Sequence, residues 1–202
     1  MRKLLSLAGL LLSGVLLAGC SIPKQEAVKR QETHRILEAE RAAVIIRVQQ
    51  KSAYNLPLED YELAVDPKLR VTSVRRLTER GTWVKERFEK DLSGGKADLV
   101  IHLSKAWLPD ADLKLRVDGA MPVEKKAGAA EYRYTIPAEE STNYEMILGL
   151  PAGTEVISIT PGYSASAKAM AHGRDWYTWK GQLASRKKVE FRVVFKMSGT
   201  KE

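Results

Sequence analysis

The stretch Lys188-Val189-Glu190-Phe191-Arg192-Val193-Val194-Phe195-Lys196 decides the fold class. Val189, Phe191, Val193 and Phe195 fall on one side of an extended chain, and Lys188, Glu190, Arg192 and Lys196 on the other. A period of two with one apolar face marks a strand that is half buried in an antiparallel sheet. The same pattern recurs upstream. Leu113, Leu115 and Val117 alternate with Lys114, Arg116 and Asp118, and Tyr132, Tyr134 and Ile136 alternate with Glu131, Arg133 and Thr135. Leu99, Ile101 and Leu103 share a face, as do Tyr61, Leu63 and Val65. Leu69–Leu77 and Trp83–Leu92 read as further strands, and β-branching tips Ala42–Val48 the same way. Turn signals at Pro109-Asp110, Asp118-Gly119, Pro151-Ala152-Gly153 and Pro161-Gly162 punctuate these runs. Many short strands at such spacing predict a mainly β, antiparallel sandwich over residues 42–202.

Residues 20–41 read differently. Pro23 suits a first helical turn, Glu26 and Arg30 sit at i,i+4, and Val28, Ile36 and Leu37 form a thin apolar stripe. The expectation is a polar N-terminal helix next to a membrane, with Lys24, Lys29, Arg30 and Arg35 near the headgroups. A solvent-exposed spacer and a helix packed on the body are open alternatives.

Residues 1–19 begin with Met1-Arg2-Lys3 and continue as a short apolar run. A basic start, a short apolar region and small residues before a cut make a secretory signal. The run is shorter than the roughly 20 apolar residues that span a bilayer. Leu17-Ala18-Gly19-Cys20 resembles the lipobox of bacterial lipoproteins. The resemblance implies acylation of Cys20, cleavage before it and a membrane-lipid anchor. Two or more acyl chains give stable anchoring where one is marginal. Ser21, in place of an aspartate, implies the outer membrane if the organism is Gram-negative.

A second resemblance rests on Leu150–Ile159, Tyr177–Leu183 and Val189–Val193. Their order is similar to the closing strands of immunoglobulin-like β-sandwich modules of envelope proteins. It implies the sandwich fold and no functional residue. Ser164–Gly173 departs from it as an inserted loop or short helix.

Cys20 is the sole cysteine among 202 residues, so no disulfide framework is available. The net charge is +8, which favours anionic partners at long range. For a secreted, tethered chain these are acidic headgroups, envelope glycans or an acidic protein face, and not nucleic acid. Interleaved acids also fit a plainly solvated surface.

No metal or cofactor motif is present: His34, His102 and His172 show no i,i+4 pairing and no His-Glu-x-x-His spacing. No Gly-x-Ser-x-Gly fixes a nucleophile, and Ser93-Gly94-Gly95-Lys96 reads as a hairpin turn. No catalytic residue is assigned. The most chemically loaded cluster is Arg174, Trp176 and Trp179 with Tyr177 and Lys180. Alternation puts Tyr177 and Trp179 on one face and Trp176 on the other, so one face is core and the other is a candidate binding surface. The reading is a non-catalytic envelope lipoprotein that docks a partner protein in an assembly or secretion complex. A tethered glycan- or lipid-binding module using Trp176 or Trp179 is the first alternative. An envelope hydrolase using His172 and Asp175 is the second.

Overall fold

The computed structural model describes residues 26–38, 40–52, 55–126, 128–162 and 168–196. The expected signal segment 1–19, and Cys20, Ser21, Pro23 and Lys24, lie outside them. The described residues form strands and no helix. In chain order the strands are β1 (Val28–Glu38), β2 (Arg41–Lys51), β3 (Leu58–Val65), β4 (Arg70–Leu77), β5 (Trp83–Asp91), β6 (Ala97–Trp107) and β7 (Asp112–Pro122). Then come β8 (Glu124–Lys126), β9 (Ala129–Ala138), β10 (Thr142–Pro151), β11 (Glu155–Thr160), β12 (Lys168–Ala171), β13 (Arg174–Leu183) and β14 (Lys187–Lys196).

Ten strands make one sheet in the order β12-β13-β10-β1-β2-β7-β4-β5-β6-β3, and a second sheet runs β11-β14-β9-β8. Every pairing is antiparallel except β1 with β10, which is parallel from Val28↔Thr142 to Arg35↔Gly149. The large sheet curls. β5 pairs with β4 through Trp83–Glu86 and with β6 through Arg87–Asp91, so one strand serves two differently oriented neighbours. The curl brings the far edge back: Arg30 on β1 donates from Nη1 to the Ala64 carbonyl of β3 at 2.8 Å. Tyr61 on β3 donates to Gln50 Oε1 on β2 at 2.9 Å.

The small sheet packs onto the inner face of this curl, and the apolar residues of both form a single core. Phe191 meets Trp179 edge-on at 5.4 Å and Tyr144 at 6.2 Å, within the range where aromatic pairs attract beyond their buried area. The mainly β expectation holds. The strand count and the curled ten-stranded sheet differ from two comparable immunoglobulin-like sheets.

The expected helix over residues 20–41 is corrected: its described part is β1, a central strand of the large sheet. The inward positions of β1 are Val28, Arg30, Glu32, His34 and Ile36, all buried. Three of the five are polar, so the period of two was present in burial but not in hydrophobicity. Helix propensity lost to cross-strand pairing on both sides, as tertiary context allows. Val28–Glu38 therefore belongs to the β body. Within the segment Ser164–Gly173, residues Lys168–Ala171 form edge strand β12 rather than a loop or helix. The hairpin at Ser93–Lys96 forms as expected, with Gly94 and Gly95 at positive φ and Lys96 N–H bonded to the Ser93 carbonyl.

Candidate functional site

The polar inward positions of β1 meet the tyrosines of β9. Glu32 and His34 are both 0% exposed. Arg30 Nε donates to Glu32 Oε1 at 2.5 Å, and His34 Nε2 lies 2.9 Å from Glu32 Oε2. His34 Nδ1 lies 2.5 Å from the Tyr132 hydroxyl. An ionised carboxylate only accepts, so Nε2 carries the proton toward Glu32 and Tyr132 donates to Nδ1. The ring of Tyr134 stands edge-on to His34 at 4.3 Å.

Burial alone would push the Glu32 carboxyl up. The Arg30 charge and the His34 hydrogen bond overcome it and hold Glu32 below the ordinary range. Burial likewise works against Arg30, and Glu32 more than restores its proton affinity. Burial, then the Glu32 charge, holds the Tyr132 and Tyr134 hydroxyls well above their ordinary value, which keeps both protonated. Arg30 Nη1 also reaches the Pro137 carbonyl of β9 at 3.1 Å. One guanidinium thus ties the centre of the large sheet to its curled edge and to the small sheet.

A hollow of about 500 Å³ opens beside this network, between β3, β6 and the β9–β10 turn. Asp60, Glu62, Asp98, Glu139 and Glu140 contribute carboxylates to it, against Arg30 and Lys96. Three of these acids are engaged: Gln50 Nε2 donates to Glu140 at 2.7 Å, Lys96 sits 3.3 Å from Glu139, and Asp60 pairs with His102. Such a mouth suits an amine or other cationic group. On the sheet's outer face His102 Nδ1 lies 2.7 Å from Asp60. Neither His34 nor His102 hydrogen-bonds to a serine, threonine or cysteine among the described residues, the contact a charge relay through either would need.

The residues singled out from the sequence separate as alternation predicts. Trp179 is buried at 6% exposure, stacks on Tyr177 at 6.4 Å and donates from Nε1 to the Pro161 carbonyl at 3.0 Å. It is a core residue. Trp176 lies on the opposite face, half-buried, over Gly149. The Arg35 guanidinium stands 5.8 Å from its ring centre, in cation–π range. Arg174 is committed to the backbone, donating to the Ile36 carbonyl at 2.7 Å and the Gly149 carbonyl at 3.3 Å. His172 and Gly173, both at positive φ, form the two-residue turn of the β12–β13 hairpin, and His172 is exposed there. Sequence reading missed the Arg30–Glu32–His34 network. Polar residues at i, i+2 and i+4 carry no strand signal until the strand is known.

No family model matches the chain, and no curated protein is similar to it in sequence. Solved structures resemble it in fold. A two-domain M1 zinc metallopeptidase bound to L-tryptophan superposes with a TM-score of 0.52 at 10% identity over 85% of this chain and 43% of its own. The M1 zinc metallopeptidase from Deinococcus radiodurans gives 0.51 at 11% over 85% and 41%. Native leukotriene A4 hydrolase from Saccharomyces cerevisiae gives 0.51 at 10% over 83% and 29%. The chain thus spans less than half the length of these structures, and the likeness is one of fold. Among the described residues no three His, Cys, Asp or Glu side chains come together as a metal site.

Proposed function

We propose that this chain is a lipid-anchored envelope protein that acts by holding a partner protein, not by catalysis. Cys20 is its acylated residue, and the β body stands close to the membrane, in the periplasm or at the surface. If the cell has an outer membrane, that membrane carries the anchor. The observation that carries the non-catalytic part is the sealing of the Glu32–His34 pair. Both side chains are fully buried and satisfied by Arg30 and Tyr132, so they serve the fold. The lipobox at Leu17–Cys20 carries the address.

Two measurements test the reading together. Mass spectrometry of the cell-made protein is expected to find diacylglyceryl-modified Cys20 at the mature N-terminus, and Cys20→Ser is expected to release it from membranes. Affinity isolation from gently solubilised membranes is expected to recover a stoichiometric protein partner. An unmodified thiol, or a lone monomer after isolation, overturns it.

A second reading has one observation behind it. The neighbours in which this fold recurs are zinc peptidases, where the matching part is less than half of the chain. On that reading the body assists a separate hydrolase, and the isolated partner is that enzyme.

A further inference from the structure

The outer face of the large sheet carries a row of charge that works against the sheet itself. Register places Arg47 of β2 opposite Arg116 of β7, Arg116 opposite Arg75 of β4, and Arg75 opposite Lys85 of β5. Four adjacent strands present four cations in one line across the sheet. With strands about 4.8 Å apart, the line is about 14 Å long. Like charges directly opposite one another destabilise a sheet. Relief within the protein is partial. Arg116 pairs with Asp118 two residues along its own strand, at 2.7 Å. Among the described residues Arg47 has only the Gln31 amide oxygen, at 3.4 Å. Arg75 and Lys85 make no ion pair among the described residues. On the next row of the same face, Lys29 and Lys114 both stand opposite Gln49, adding two more cations.

The face is hollowed. A groove of about 420 Å³ is lined by Lys29, Arg47, Lys114 and Lys180, with Leu77 and Trp83 among its walls. Its one acid, Glu145, is already held by Lys180 at 2.9 Å and Gln31 at 2.6 Å. Trp83 is 41% exposed, which is unusual for so large a ring.

From this arrangement we infer that the outer face binds a linear polyanionic glycan, a saccharide chain bearing carboxylate, phosphate or sulfate groups. Its anionic groups lie along Arg47, Arg116, Arg75 and Lys85, and a sugar ring rests on Trp83. Guanidinium forks match such oxyanions in a bidentate geometry. The groove selects among anionic partners. The local recess beside the line admits a single chain, whereas a flat bilayer would pass over it. Single-stranded nucleic acid uses an aromatic platform for successive bases, and this groove offers one exposed tryptophan, Trp83. The inference goes beyond partner docking and uses a different surface from the hollow beside Arg30.

The test uses the full chain in detergent with a heparin octasaccharide as the probe, and oligothymidylate and phosphatidylglycerol vesicles as competing anions. The octasaccharide is expected to bind, to weaken with salt and to shift tryptophan emission. Arg47→Gln with Arg75→Gln is expected to lower its affinity about tenfold per arginine and to flatten the salt dependence by about one contact each. The same pair removes the repulsion, so its melting temperature should equal or exceed that of the parent. Trp83→Ala should abolish the emission shift, and Lys188→Gln, on the small sheet, should change nothing. The inference fails if the octasaccharide does not bind, or binds equally well to the double variant. Tighter, ladder-dependent binding of the oligonucleotide or the vesicles also overturns it, as does a double variant that melts below the parent.

Discussion

Replacing Glu32 by glutamine tests whether the buried network holds the two sheets together. The two carboxylate oxygens divide their work: Oε1 accepts from Arg30 at 2.5 Å and Oε2 from His34 at 2.9 Å. Glutamine keeps one acceptor and turns the other into an N–H donor, so one of these two donors must face another donor. That mismatch alone costs about 1–3 kcal/mol. The larger effect is that Arg30, 4% exposed, loses the charge that compensates it. Breaking a buried pair by removing one partner costs about 3–5 kcal/mol. For a chain of this size each kcal/mol moves the melting temperature by about 2–4 °C, so Glu32→Gln should melt about 6–20 °C lower.

The assay is urea unfolding followed by tryptophan emission, with Arg30→Met and the double variant completing a cycle. Arg30→Met should also destabilise, because the Ala64 and Pro137 carbonyls lose their donor. The double variant should be markedly more stable than the sum of the singles predicts, since it strands no charge. The pH dependence has a definite sign. The Glu32 carboxyl titrates below the ordinary 4.5 in the folded chain. Its stabilisation is therefore fully present above about pH 4.5 and is lost as pH falls through its folded value. Glu32→Gln should remove that part of the acid sensitivity. A loss under about 1 kcal/mol for Glu32→Gln, or strict additivity in the cycle, would refute the reasoning.

Two further outcomes are expected. Hydrogen bonds from Arg133, Lys126 and Arg192 hold the Glu131 carboxyl down at about 2; its stabilisation is present above pH 4.5 and fades toward pH 2, so Glu131→Gln should flatten the melting temperature against pH between 4.5 and 2.5 relative to the parent. A Cβ on Gly149 would lie 2.6 Å from Cζ3 of Trp176, so Gly149→Ala should unseat that ring, shift its emission and cost about 1–3 kcal/mol, while Gly162→Ala, with nothing within 4 Å, should be neutral by the same measurements.

Strands with a clean apolar face were legible one at a time. Val189, Phe191, Val193 and Phe195 point inward as their alternation requires, and so do Leu113, Leu115 and Val117. Trp176 and Trp179 were assigned opposite faces, and they take them. β1 was misread because its inward face carries Arg30, Glu32 and His34. The hydrophobic period that identifies a strand was replaced by polar groups that pair within β1 and take their remaining partners, Tyr132 and the Pro137 carbonyl, from β9. The basic ladder was equally hidden. Arg47, Arg75, Lys85 and Arg116 are far apart in the chain, and each alone reads as a solvated strand position.

The sequence by itself determined that the body is built of strands, because alternation is a local property of neighbouring residues. It also set the net positive charge and the cysteine that follows the apolar run. Only the tertiary structure decided that residues 28–38 stand in the middle of a ten-stranded sheet, that Trp179 is core, and that four cations share one line. Those facts depend on register between strands, which is set when side chains from distant segments bury one another, and no local pattern encodes it.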